Sequence, residues 1–105
     1  MDNSDILLLA QGAGYADAEI DKYTNVIAIN KNKHGAWSVF ILDCADTRER
    51  LCENLKISFQ LSPAKPDEWL VYAQIGLHMK FCTTKEEIHR AINTVALAIM
   101  RERAE

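Results

Sequence analysis

Clustered positive charge is missing from this chain. Its 12 lysines and arginines are outnumbered by 15 acids, giving a net charge of −3. They are scattered, so the basic footprint that phosphate neutralisation demands is absent and duplex nucleic acid is disfavoured as a partner. Long apolar runs are missing too. No stretch approaches the roughly 20 residues of a membrane span, and Met1 is followed by acids, with Ile6–Ala10 too short for the apolar segment of a signal peptide. No membrane role is expected. Cysteine is scarce and odd in number: Cys44, Cys52 and Cys82 have no close pair spacing, which excludes a disulfide framework and points to a reducing, cytoplasmic setting. With 2 prolines and 4 glycines, the only linker-like stretch is Ser62–Asp67, too short to divide domains. There are no internal repeats. A single domain over residues 1–105 follows.

What is present suits one packed core. The 49% hydrophobic and 26% charged content is ordinary for a globular protein, and at this length roughly two-thirds of the unfolded surface can be buried. Charge is uneven along the chain. Residues 1–30 carry five acids (Asp2, Asp5, Asp17, Glu19, Asp21) against Lys22, whereas residues 31–65 carry six bases against four acids. Such polarity is either a solvated face or a surface that steers a basic partner.

The patterning predicts an α+β fold. Ser4–Ala10 reads as a short helix capped by Ser4 or Asn3 and stopped by glycine, and Ala16–Tyr23 as a second helical turn. Val26–Ile29 and Trp37–Leu42, separated by the polar turn Asn30–Gly35, form a hairpin signal with Gly35 able to take a positive φ. Asp46 stands three residues before Glu49 ahead of Leu51, Cys52 and Leu55, predicting a helix from about Asp46 to Lys56. Ile57, Phe59 and Leu61 alternate with polar residues, as a strand or a helix extension, until Ser62, Pro63 and Pro66 intervene. From Trp69 to Phe81 every odd position is apolar, which predicts β structure with one buried face. Gly76 marks a bulge, a bend or a reversal. Thr84 and Glu87 make a capping box for a long C-terminal helix with the stripe Ile88, Ala91, Ile92, Val95, Ile99. The expected architecture is a mostly antiparallel sheet packed against helices.

Candidate chemistry is sparse. His34, His78 and His89 lack ligand spacing to any cysteine or second histidine, so no metal or other cofactor is expected. Gly12-Ala13-Gly14 follows a helix and lacks the lysine of a phosphate loop. Cys52 falls on a core stripe, whereas Cys82, at a junction of strand and capped helix, is the candidate reactive thiol, with His78 as its base. Val95, Leu97 and Met100 are apolar around most of the last helix, the pattern of a segment buried on two sides or of a homodimer contact. Aromatics Trp37, Trp69, Tyr72 and Phe81 fall on predicted strands, which invites comparison with sheets that stack single-stranded bases.

The stretch Ile75-Gly-Leu-His-Met-Lys-Phe-Cys-Thr-Thr-Lys-Glu-Glu-Ile-His-Arg-Ala-Ile92 resembles the end of class V aminotransferases and cysteine desulfurases, where a strand leads through a threonine cap into the closing helix. It covers about a sixth of the chain. A chain of 105 residues has no room for the cofactor domain of those enzymes and lacks their cofactor lysine motif. The resemblance therefore implies only a similar strand-to-helix packing. The leading functional expectation is a small acidic, non-enzymatic interaction protein: an adaptor, an accessory factor or an inhibitor of a larger complex, such as phages and mobile elements encode. Its expected contact residues are Tyr15, Asp17, Glu19, Asp21 and Tyr23. A thiol enzyme or sensor at Cys82 and a single-stranded nucleic-acid binder are the alternatives.

Overall fold

Asp2 begins the first element by accepting the Asp5 N–H on its side chain, and helix α1 follows over Asn3–Gly12. A computed structural model describes all 105 residues, Met1 to Glu105. Strands β1 (Glu19–Ile20), β2 (Ile27–Ile29) and β3 (Ser38–Val39) make one antiparallel sheet in the order β1-β2-β3. Helix α2 (Ala45–Leu55) leads through a single residue into β4 (Ile57–Leu61), and β5 (Trp69–Ala73) and β6 (Met79–Cys82) complete a second antiparallel meander. Helix α3 closes the chain over Lys85–Ala104. The class is α+β, with the strands divided between two three-stranded sheets and a long C-terminal helix.

Several local expectations are corrected. The cap of α1 is Asp2, one residue before Asn3, because its carboxylate reaches the orphan N–H of Asp5 at 2.9 Å. Ala16–Tyr23 is not a helical turn: Glu19 and Ile20 pair with Ala28 and Ile27, and Asp21 spends its carboxylate on the turn that follows. Asp46 lies inside the first turn of α2, where it pairs with Arg50 one turn on, and Cys44 holds the N-cap position. The hairpin of β2 and β3 forms as expected, with Gly35 at φ 82°. Between α2 and β4 the reversal is made by Lys56 at φ 56°, a left-handed position usually given to glycine.

The capping box of α3 forms in full: Thr84 Oγ1 accepts the Glu87 N–H, and the Glu87 carboxylate accepts from the backbone of Thr83 and Thr84. These donors hold the Glu87 carboxyl below its ordinary range, the Thr83 N–H foremost.

Gly76, at φ 97°, sits in the tight reversal between β5 and β6. In this hairpin Trp69 pairs with Cys82, Leu70 with Phe81, Val71 with Lys80 and Tyr72 with Met79. Cross-strand partners share a face. An odd residue of β5 therefore lies beside an even residue of β6, and the buried set changes parity at the turn. Val71, Ala73 and Cys82 are buried, whereas Met79 and Phe81 are exposed. The unbroken alternation from Trp69 to Phe81 does not mark one buried face.

Helix α1 packs on the first sheet and on both longer helices, while α2 and α3 pack on the second sheet, so the helices lie between the sheets. The molecule is drawn out to 53 × 27 × 22 Å with a radius of gyration of 14.9 Å, against about 13 Å for a compact chain of this size. Its core holds Leu9, Leu51, Val71, Ile92 and Val95 among others.

Candidate functional site

The five residues expected to form a contact surface come together around the first sheet, and the fold uses most of them. Tyr15 is half-buried, its ring edge against Phe40 at 5.9 Å and the Arg50 guanidinium 5.0 Å from its centroid. Asp17 accepts the Lys31 N–H and Glu19 pairs with the Lys31 ammonium. Asp21 accepts both the hydroxyl and the N–H of Thr24, at 2.6 and 2.9 Å, and these bonds hold its carboxyl below the ordinary value. Only Tyr23 stands free in solvent, with Lys22 over its ring.

Val95 and Leu97 are buried within one chain, and Met100 is half-buried against Gly12 of α1. The apolar run of α3 is thus covered on two sides by its own fold, which leaves Val95 and Leu97 no surface to offer a second copy.

The thiol expectation fares poorly on geometry. Cys82 is buried, its nearest polar partner the Trp69 carbonyl at 3.8 Å, and burial first, then Glu87, pushes its thiol pKa up. His78 bonds instead to Glu102, and four extended residues separate it from Cys82 by about 13 Å. No thiol–imidazole pair is assembled. Cys44 was not singled out by spacing, yet it is the one thiol whose pKa is shifted down: it sits at the N-cap of α2, 3.1 Å from Thr47 Oγ1, and hydrogen bonding with the Thr47 side chain and N–H lowers its pKa. Cys52 shifts upward by burial. Iodoacetamide at neutral pH should therefore label Cys44 first in the native protein, Cys52 more slowly and Cys82 only on unfolding, as peptide mapping against time would show. Faster labelling of Cys82 would contradict this assignment.

No three His, Cys, Asp or Glu side chains converge at a spacing that holds a metal ion, and no helix is long and apolar enough to cross a membrane.

The second sheet carries the larger share of the exposed apolar surface, beside Ile20, Val39 and Ile41 at the first sheet. On its outer side Leu70, Tyr72, Met79 and Phe81 form two cross-strand pairs, with Met79 55% and Phe81 51% exposed. The hairpin tip adds Ile75 and Leu77, the latter 91% exposed. On the helix side Phe59 and Leu61 of β4 are 51% and 56% exposed, and Phe59 leans on Trp69 at 6.2 Å. Trp69 thus lies on the opposite face from Tyr72 and Phe81, and the outer quartet has no Lys or Arg on its own strands' face. A base-stacking platform would lack its phosphate contacts there.

Beside Phe59 opens the largest cavity, a groove of about 650 Å³ between α2 and the first half of α3. Cys52, Phe59, Ile88 and Ile92 give it an apolar floor. Arg48, Glu49 and Glu53 stand on the α2 wall, Lys85 and His89 on the α3 wall. Its volume falls in the range of ligand pockets, and among its lining side chains Cys52 and His89 make no hydrogen bond to each other.

Compared with protein-family models, curated proteins and solved structures, the chain matches none.

Proposed function

We propose that this chain is a non-enzymatic protein-binding module of the cytoplasm whose contact surface is the second sheet. The observation that carries the reading is the gathering of Phe59, Leu61, Ile75, Leu77, Met79 and Phe81, all exposed, on one three-stranded sheet and its tip. Phe59 and Leu61 lie on the helix side at the β4 edge, Met79 and Phe81 on the outer side at the β6 edge, and Ile75 and Leu77 at the tip. Single exposed apolar residues are normal on a monomer, but such a concentration around one small sheet marks an interaction site. The drawn-out shape supports it, since the core is too thin to absorb these side chains.

The test compares three forms of the tagged chain in affinity capture from the native host. The unaltered chain should retain a stoichiometric protein. Met79→Lys with Phe81→Lys should lose it by at least about tenfold, the cost of placing charge in a desolvated contact. Reversal of Asp17, Glu19 and Asp21 to lysine should retain it, if the sheet rather than the acidic face makes the contact. Retention by the sheet variant with loss by the acidic one would return the contact surface to Tyr15–Tyr23.

A further inference from the structure

Resting on the protein-binding reading above, we propose that the free edge of β4 receives an extended segment of the partner protein as an added strand. Alternate apolar side chains of that segment would enter the groove between α2 and α3.

The ladder of the second sheet shows which backbone groups are free. Gln74 donates to the Lys56 carbonyl and Ser62 to the Glu68 carbonyl, so the hydrogen-bonded partners of β4 on β5 are its even residues. The N–H and C=O of Phe59 and Leu61 therefore point away from β5, along the open edge. Exposed sheet edges are normally blunted by proline, a bulge or an inward-facing charge. The other edge, β6, has such a charge: Lys80 lies opposite Val71, on the core-facing side. Strand β4 reads Ile-Ser-Phe-Gln-Leu, with no charge and no proline. One edge is protected and the other is left open.

The groove adjoins that open edge. Phe59 belongs to both, so a strand laid along β4 would send every second side chain toward Cys52, Phe59 and Ile88. The walls differ in net charge: α2 brings Glu49 and Glu53 against Arg48, which already pairs with Asp43, while α3 brings Lys85 and no acid. That arrangement complements a segment bearing a basic side chain toward α2 and an acidic one toward α3. A second copy of this chain is a poor occupant. Helix α2 packs on β4, and β4-to-β4 pairing would bring two helices, each about 10 Å across, over strands about 4.8 Å apart. A lone extended segment meets no such obstacle.

The probe is a synthetic nine-residue peptide alternating valine and threonine, added to the full ¹⁵N-labelled chain. The Phe59 and Leu61 amide signals should move with peptide below millimolar concentration, and their exchange with solvent should slow. A peptide N-methylated on the edge facing β4 should bind about tenfold more weakly, as loss of its backbone bonds requires. Phe59→Pro removes an outward N–H while keeping the ladder to β5, and should weaken binding similarly; Phe81→Pro on β6 should not. The proposal is overturned if no β4 amide moves at millimolar peptide, if the shifts fall on Met79 and Phe81 instead, or if N-methylation changes nothing. Should Phe59→Pro fail to fold, the methylated peptide alone decides. Failure here alongside partner loss in the Met79→Lys, Phe81→Lys capture would leave the binding module standing without its strand-accepting edge.

Discussion

Alanine in place of Leu51 is expected to lower the unfolding free energy by about 3–4 kcal/mol. Leu51 is fully buried, one of the three largest side chains with no exposure, at the point where α2 joins the common core. Truncation removes three carbons from contact and leaves a cavity that neighbours on α3 and β4 cannot collapse to fill. Only 22 of 105 residues are buried, so total stability belongs near the lower end of the usual range of about 5–15 kcal/mol. The variant should therefore unfold at markedly lower urea with an unchanged slope. A loss under about 1 kcal/mol would mean that α2 does not pack as described.

Leucine at Gly12 is the second large effect, expected to cost about 2–3 kcal/mol by overpacking. A Cβ built on Gly12 would stand 3.2 Å from Cγ and Sδ of Met100 and 3.3 Å from a methyl of Leu55. Alanine asks only that the flexible Met100 thioether yield by a few tenths of an ångström, and it regains helix propensity worth up to about 1 kcal/mol. Gly12→Ala should thus melt close to the parent while Gly12→Leu melts far below it. Equal melting of the two variants would show that α1 does not approach α2 and α3 this closely.

Much of the architecture is legible in local residue chemistry. The Thr84 and Glu87 box, the stripe from Ile88 to Ile99 and the glycine turn at Gly35 each rest on neighbours within a few residues, and each forms as read. What escapes is set by partners far along the chain. The division of the strands into two sheets depends on α1 lying between the first sheet and the other helices, and no local pattern reports that. The candidate surface is hidden for a sharper reason: apolar residues at odd positions on both sides of Gly76 resemble one buried face, and only the register, Val71 opposite Lys80, turns Met79 and Phe81 outward. The acidic residues near the N-terminus have partners within the fold, Lys31 and the Thr24 turn, that no helical spacing reports. For the thiols, spacing favours Cys82 where geometry favours Cys44, since the lowering depends on Thr47 folding back onto the helix cap.

The most direct measurement is hydrogen–deuterium exchange of the full chain, alone and with its captured protein partner. The second sheet as contact surface predicts slowed exchange in residues 57–61 and 79–82, where edge amides of β4 and β6 face solvent in the free chain, with residues 15–23 unchanged. Protection confined to residues 15–23, with both edges of the second sheet exchanging as before, would contradict it.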